Sequence, residues 1–150
     1  MTISKSFMFE ASHILPKHPG KCSRLHGHSW KLTVFVEGNI NPSTGFVCDY
    51  GELKELVETH VICNLDHTHL GQGLASTGKP ESVADPCWRP YFGVDFYPSS
   101  ENLCRAIFKL LKPLIQEIEN GITLHKVRIE ETCTSAAEWS AADEPPAGAA

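Results

Sequence analysis

The sequence predicts an α+β domain in which an antiparallel four-stranded sheet carries two helices on one face. Polar and apolar residues alternate near both ends of the chain, which is typical of half-buried strands. Between these regions, two segments carry apolar residues three to four positions apart, as amphipathic helices do. The elements follow one another as strand, strand, helix, helix, strand, strand, and this order indicates the α+β class.

Three segments show the alternation expected of strands, and a fourth can supply a short last strand. The first is predicted over residues 3–13, where odd-numbered positions are mostly apolar, and the second over 27–37, where even-numbered positions are. A loop rich in Pro, Gly, Lys and His separates them at 14–25, and the two strands are expected to pair as a hairpin across it. The last two strands are predicted over 124–132 and 136–140.

The two helices are predicted over residues 50–63 and from Glu101 to Ile118. A serine of "PSSENL" is the N-cap candidate of the second helix, and Pro113 is expected to kink or shorten its end. Its apolar stripe is predicted to contain Leu103, Ile107, Leu110, Leu111 and Leu114. Residues 71–97 are dense in Gly and Pro and long for a loop, which indicates a functional flap or an insertion.

The overall composition indicates one globular domain. The 150 residues include 41% hydrophobic and 21% charged side chains, which is ordinary for such a domain. A net charge of −5 gives no electrostatic reason to expect nucleic acid or an anionic membrane as a partner. The polar N-terminus lacks a signal-peptide core, no segment has membrane-spanning length, and the six scattered cysteines are expected to be free thiols in the cytoplasm. Residues 141–150 are expected to be a disordered tail.

Three histidines are candidates for one metal site. His26 and His28 are two positions apart, so they share one face of the second strand, and His13 ends the apolar face of the first. A single His-x-His pair often arises by chance, but His13 at a matching strand end strengthens the prediction of a three-ligand zinc site with an open fourth position. Imidazole ligands favour zinc without excluding copper, iron or nickel.

Cys22 precedes His26 by four residues and allows two interpretations. As a fourth ligand, it would close the site and make the metal structural. As a neighbour of the metal, it would have a lowered thiol pKa and act as a base or nucleophile. Its spacing from the histidines does not decide between the two.

Two further segments carry polar groups suited to catalysis. Asp66 is adjacent to His67 and is able to orient and charge its imidazole, although a solvated turn at a helix end is an equally good interpretation. His60 and His69 are less specific candidates. Near the C-terminus, Glu131 continues the apolar face of a strand.

Strand parity separates Glu131 from its neighbour Glu130. Glu130 lies on the same face as Lys126 and Arg128, as an ordinary solvated residue does. Burying an unpaired Glu131 carboxylate would cost several kcal/mol, so Glu131 is expected to meet a ligand with N–H donors.

Together these segments make the sequence resemble the family of 6-pyruvoyl-tetrahydropterin and 6-carboxy-tetrahydropterin synthases. Six motifs occur in the family's order and extend to about residue 140. They are "FEASH" (9–13), "CSRLHGH" (22–28), "GFVCDYGELK" (45–54), "LDHTHL" (65–70), "PSSENL" (98–103) and "EETCTS" (130–135).

The resemblance implies a tunnelling-fold domain over residues 1–140, whose sheets associate into a barrel, usually in a homohexamer with active sites between subunits. It implies zinc (Zn²⁺) as the cofactor. By this resemblance the zinc ligands are His13, His26 and His28, the catalytic groups are Cys22, Asp66, His67 and Glu131, and Glu131 also anchors the pterin.

The resemblance also implies a reaction. Three residues separate Cys22 from His26, as in the bacterial carboxy-tetrahydropterin synthases of queuosine and deazapurine biosynthesis. The expected reaction converts 7,8-dihydroneopterin triphosphate to 6-carboxy-5,6,7,8-tetrahydropterin, acetaldehyde and triphosphate. The alternatives are a pyruvoyl-forming lyase with the same residues and a non-catalytic zinc protein closed by Cys22. The chain departs from the family pattern in its longer 71–97 segment and in Gly71, where Asn is common.

Overall fold

The computed structural model describes residues 1–72, 91–118 and 121–144. A long hairpin forms the centre of its sheet. Strand β1 (Thr2–His13) pairs antiparallel with β2 (His26–Glu37) over its full length, from Thr2 opposite Glu37 to His13 opposite His26. The predicted parity is confirmed, because the buried residues of β1 have odd numbers and those of β2 mostly have even numbers.

The sheet has six strands in the order β4-β3-β1-β2-β5-β6. The four predicted antiparallel strands are present, the last two as β5 (Thr123–Thr132) and β6 (Ser135–Ser140). Two short strands, β3 (Thr68–Gln72) and β4 (Tyr91–Val94), extend the sheet by parallel pairing next to β1. The α+β class is thus confirmed with a larger, mixed sheet.

Both helical regions are confirmed, with differences in detail. The first consists of α1 (Tyr50–Val57), a π-helical turn (Glu58–Ile62) and α2 (Cys63–Leu65). The second is α3 (Ser100–Ile118), which Pro113 does not end.

Side-chain hydrogen bonds cap the starts of α1 and α3. The Asp49 side chain accepts a hydrogen bond from the Gly51 N–H at the start of α1. The Ser99 hydroxyl oxygen accepts a 3.4 Å hydrogen bond from the Asn102 N–H, so Ser99 is the predicted serine cap of α3.

The core lies between the helices and the inner face of the sheet. From the sheet it contains Trp30, Leu32, Val34, Val36, Val127 and Ile129, all fully buried. From α3 it contains Leu103, Cys104, Ile107, Phe108, Leu111 and Ile115. The predicted stripe of α3 is therefore corrected at Leu110, which is 45% exposed. This packing fixes the face of β1 and β2 that carries the three histidines.

The remaining predictions concern the tail, the cysteines and membrane spans. The predicted tail begins with a short 3₁₀ helix (Ala141–Asp143), and residues 145–150 lie outside the described residues, as does most of the 71–97 segment. Cys63 is disulfide-bonded, so the expectation of six free thiols is wrong for this residue. In the part of the chain that the structure describes, no helix is long and apolar enough to span a membrane.

Candidate metal centre and active site

The two ends of the β1–β2 loop bring three histidines together. His13 is the last residue of β1 and lies opposite His26, the first residue of β2, while His28 is one inward-facing position further along. One ligand nitrogen of each ring lies within 4.8 Å of the other two. The ring centroids of His13 and His28 are 5.2 Å apart, which confirms the predicted proximity across the hairpin.

Backbone carbonyls determine which nitrogens face the centre. His13 Nδ1 donates a 2.8 Å hydrogen bond to the Pro98 carbonyl, and His26 Nδ1 donates one of the same length to the Arg24 carbonyl. Because a carbonyl only accepts, each Nδ1 carries the hydrogen and each neutral ring keeps a lone pair on Nε2. Such a second hydrogen bond is the usual way in which a metal-binding histidine is oriented.

The burial of two nitrogens tests whether a metal fits here. His13 Nε2 and His28 Nε2 are buried and have no hydrogen-bond partner among the described residues. A buried polar atom without a partner costs about 1–3 kcal/mol, so such atoms are rare unless a ligand satisfies them. The three histidines therefore form a group that can hold a metal ion, and all-imidazole donors suit zinc.

Glu131 lies beside this centre, as the parity of its strand predicted. Its Oε1 is 3.4 Å from His13 Nε2 and 3.7 Å from His28 Nε2. Neither contact is an ion pair at neutral pH, because burial lowers the pKa of His13 and of His28 below the ordinary value of 6.5. Two imidazole nitrogens without hydrogen-bond partners among the described residues therefore lie beside a carboxylate oxygen, a combination of donors that a cation would satisfy.

Neighbouring groups also modify these two pKa values, in opposite directions, and the positive charge that His28 would carry is one of those that lower the pKa of His13. The positive charge that His26 would carry lowers the pKa of both rings further, and Glu131 raises both. The hydrogen bond to Pro98 also raises the pKa of His13, but burial is the largest cause and determines the direction. The rings are therefore kept in the neutral form that binds metal.

Cys22 is not among the residues that converge on the centre. It lies in a 3₁₀ turn (Lys21–Ser23), is half-buried and is a free thiol. Within the described residues, the cluster whose ligand atoms lie within 4.8 Å of one another contains three histidines and not Cys22. Its carbonyl accepts a 2.9 Å hydrogen bond from the Leu15 N–H, which closes the loop around it. This placement favours the open site over the four-ligand clip.

Asp66 and His67 form the predicted pair. Asp66 Oδ1 is 3.0 Å from His67 Nδ1 and also accepts a 2.8 Å hydrogen bond from the Glu10 N–H. The His67 N–H donates a 2.6 Å hydrogen bond to the Glu10 carbonyl, so both residues are fixed to β1. His67 has a positive φ of 56°, unusual for a non-glycine residue, and its side chain is 79% exposed. The pair is therefore ordered by its backbone contacts and accessible from outside.

The sequence matches, over residues 2–142, the profile of the family described as 6-pyruvoyl tetrahydropterin synthase. The chain belongs to this family. Among its relatives is a Synechocystis 6-carboxy-5,6,7,8-tetrahydropterin synthase, 36% identical, with 91% of each chain covered. A Haemophilus influenzae protein of the same name is 31% identical, with 91% of this chain and 96% of the relative covered. Human 6-pyruvoyl tetrahydrobiopterin synthase is 30% identical over 87% of this chain and 84% of its own.

Solved structures show the same fold. A 6-pyruvoyl tetrahydropterin synthase of Caenorhabditis elegans aligns with a TM-score of 0.67 at 23% identity, covering 93% of this chain and 94% of its own. An uncharacterized Wolinella succinogenes protein aligns with a TM-score of 0.77 at 20% identity, covering 94% and 98%. The predicted membership of the pterin synthase family and its tunnelling fold are thus confirmed.

Three groups that contact the histidines were not predicted from the sequence of this member of the 6-pyruvoyl tetrahydropterin synthase family. Two are the backbone carbonyls of Pro98 and Arg24. Every residue has a backbone carbonyl, so the residue type does not reveal which of them will bind a histidine. The third is Trp30, whose ring meets those of His13 and His28 edge-on at 5.3 Å and whose indole N–H donates to the Ala11 carbonyl. Its parity placed it on the histidine face but did not indicate this contact.

Proposed function

We propose that the protein is a zinc-dependent carbon–carbon lyase. It would convert 7,8-dihydroneopterin triphosphate and water to 6-carboxy-5,6,7,8-tetrahydropterin, acetaldehyde and triphosphate, as a step of queuosine or 7-deazapurine biosynthesis. The observation that carries the proposal is the buried centre of three histidines with two unsatisfied Nε2 atoms beside a carboxylate. Two relatives named for the carboxy-forming reaction, at 31% and 36% identity, support the choice of product.

His13, His26 and His28 would hold the zinc through their free nitrogens. When bound, zinc would act as a Lewis acid toward the oxygens of the substrate side chain. The protein's part is to orient the rings and to favour the neutral form of two of them: carbonyls fix Nδ1 of His13 and of His26, and burial lowers the pKa of His13 and of His28. Because the rings are oriented before substrate binds, no rearrangement of the metal ligands is needed during the reaction.

Glu131 would fix the pterin ring. Its carboxylate accepts hydrogen bonds only, which matches the N–H groups along one edge of a pterin. Strand β5 places it on the inner face, 3.4 Å from His13 Nε2, so a ring bound to it would have its side chain near the metal. A charge-assisted hydrogen bond in such a half-buried site is about twice as strong as a neutral one.

Cys22 and the Asp66–His67 pair would move the protons. A thiolate at Cys22 would remove a proton from the substrate side chain, and His67, oriented by the Asp66 carboxylate 3.0 Å away, would donate or relay another. His67 is largely exposed in the monomer, which suits a group that completes a site in a neighbouring subunit. We therefore include a homo-oligomer, a hexamer in the cytoplasm, in the proposal.

Product analysis tests the reaction. Zinc-loaded protein is incubated with 7,8-dihydroneopterin triphosphate, pterins are identified by mass spectrometry, and acetaldehyde is trapped in parallel. Carboxy-tetrahydropterin with equimolar acetaldehyde is the expected result. Pyruvoyl-tetrahydropterin without acetaldehyde would move the protein to the pyruvoyl-forming reaction of the human relative. Unchanged substrate would contradict both reactions.

A Cys22→Ser variant separates the enzyme from a closed structural zinc site. Because Cys22 lies outside the histidine cluster, the variant is expected to retain its zinc and to lose activity by about 100-fold or more, as expected when a general base or nucleophile is removed. Zinc content by elemental analysis and initial rates are measured on the same preparation. Cys133→Ser, at an exposed free cysteine, is the matched control and should keep both. Loss of zinc from the Cys22 variant alone would support the four-ligand clip.

A further inference from the structure

The loop that joins β1 to β2, residues 14–25, has an unusual charge composition. It contains Lys17, His18, Lys21 and Arg24 and no acidic residue, in a chain whose net charge is −5. All four side chains are exposed. The loop is therefore a local positive region on a protein that is negative overall.

The Lys and Arg side chains of this loop also differ from most others because no ion pair or ring contact holds them within the part of the chain that the structure describes. Elsewhere in the described ranges, Lys and Arg side chains mostly meet carboxylates or aromatic rings. The carboxylate partners belong to Lys31, Lys54, Lys126 and Arg128, and the ring contacts to Lys5, Arg105, Lys112 and Lys126. No described carboxylate lies within 4.0 Å of Lys17, Lys21 or Arg24. Three cations without a carboxylate partner among the described residues, close together in the chain, repel one another, and an anionic ligand would relieve that repulsion.

The loop is attached to the metal centre at both ends. It begins after His13 and ends before His26, which lie opposite each other in the hairpin. The Arg24 carbonyl holds His26 through a 2.8 Å hydrogen bond. On the other side, the Lys17 N–H donates to the Tyr97 hydroxyl, next to the residue whose carbonyl holds His13. The cationic side chains thus belong to a loop whose backbone contacts also orient His13 and His26, two of the candidate metal ligands.

We propose that Lys17, Lys21 and Arg24 bind the triphosphate chain of the substrate. The identity of this ligand rests on the function proposed above. A triphosphate carries several negative charges that no carboxylate-rich surface would accept, and Lys and Arg are the usual phosphate-binding side chains. Glu131 and the loop would then hold opposite ends of one molecule, with the reacting side chain between them at the metal. These three residues would position the substrate. They would contact only its triphosphate, which is the leaving group, and not the carbon atoms that react.

The first test compares binding of two pterins by zinc-loaded protein in a Cys22→Ala background, where substrate is not consumed. The probes are 7,8-dihydroneopterin triphosphate and 7,8-dihydroneopterin, which lacks the phosphates. K17A/K21A/R24A is expected to bind the triphosphate form about tenfold or more weakly, and the form without phosphates within about twofold of the unmodified loop. K54A/K109A/K112A removes the same number of charges elsewhere and should change neither affinity by more than about twofold. Equal losses for both pterins, or no loss for either, would overturn the proposal.

A second probe distinguishes failure of this proposal from failure of the proposed reaction. If neither pterin binds, the pterin function is wrong, and inorganic triphosphate then tests the loop on the same proteins. Chelation of zinc by the probe affects the loop variant and the control variant equally, because both keep the three histidines. An affinity about tenfold lower for the loop variant would support an oligophosphate site, and equal affinities would overturn it.

Discussion

At the scale of single residues, His13 shows how the fold prepares a side chain for metal binding. The ring is fully buried, its Nδ1 is held by Pro98, and its edge meets Trp30. Only Nε2 remains available, and it has no partner among the described residues. In the absence of metal this arrangement is unfavourable, because burial opposes protonation and nothing else satisfies the nitrogen. The site therefore lowers stability in a way that metal binding reverses.

The lowered pKa values give a pH dependence with a definite sign. The pKa of His13 and of His28 lies below the ordinary 6.5 in the folded protein, mainly because of burial. As the pH falls below 6.5, the unfolded chain takes up protons first, so the free energy of unfolding of zinc-free protein should fall. At least one pH unit above 6.5, the rings are neutral in both states and contribute almost no slope.

Urea unfolding of zinc-free protein across this pH range measures the effect. A His28→Gln variant, which removes one of the two rings with a lowered pKa, should show a shallower decrease. Stability that is constant or rises on acidification just below 6.5 would contradict the assigned pKa directions.

At the scale of elements, the strands and helices that have a regular local sequence pattern were predicted, and those without one were not. β1, β2 and β5 alternate over ten or more residues and were predicted, as was the short β6, and parity alone placed His13, His28 and Glu131 on one face. β3 and β4 contain only five and four residues and are held by parallel pairing to distant strands, so no local pattern indicates them. The Pro98 carbonyl reaches His13 across 85 positions, a contact that depends on the fold and not on a motif.

Helix α3 offers a matched pair of leucines that tests its packing. Leu111 is fully buried against the sheet, whereas its neighbour Leu110 is 45% exposed. Leu111→Ala should lower the free energy of unfolding by about 2–5 kcal/mol, because it removes buried methyl groups and leaves a cavity. Leu110→Ala should change it by about 0.5 kcal/mol or less. Urea denaturation of both variants provides the measurement, and similar losses for the two would mean that the helix is rotated from the described orientation.

At the scale of the whole molecule, two features bear on association between copies of the chain: the edges of the sheet and the exposure of His67. The order of the described strands places β4 and β6 at its two edges, and edge strands are where a sheet can pair with another chain. The Asp66–His67 pair is fixed to β1 by Glu10, yet His67 is 79% exposed. In the proton-transfer role proposed above, an ordered His67 that is this open to solvent would be poorly placed to act in its own monomer. Association of copies through the sheet would cover the edges and enclose this pair.

Complementation between two inactive variants tests whether the site is shared. Cys22→Ala and His67→Ala are each expected to be inactive, in the first because the base is lost and in the second because the proton donor is lost. If one subunit supplies Cys22 and its neighbour supplies His67, random co-assembly of equal amounts leaves about a quarter of the sites with both residues intact. Co-refolded or co-expressed mixtures should then recover about a quarter of normal activity, while separately assembled variants mixed afterwards should not. If every site is built within one subunit, no mixture can regain activity, because each chain lacks one of the two groups. Light scattering on the same samples shows whether they form the oligomer that sharing requires.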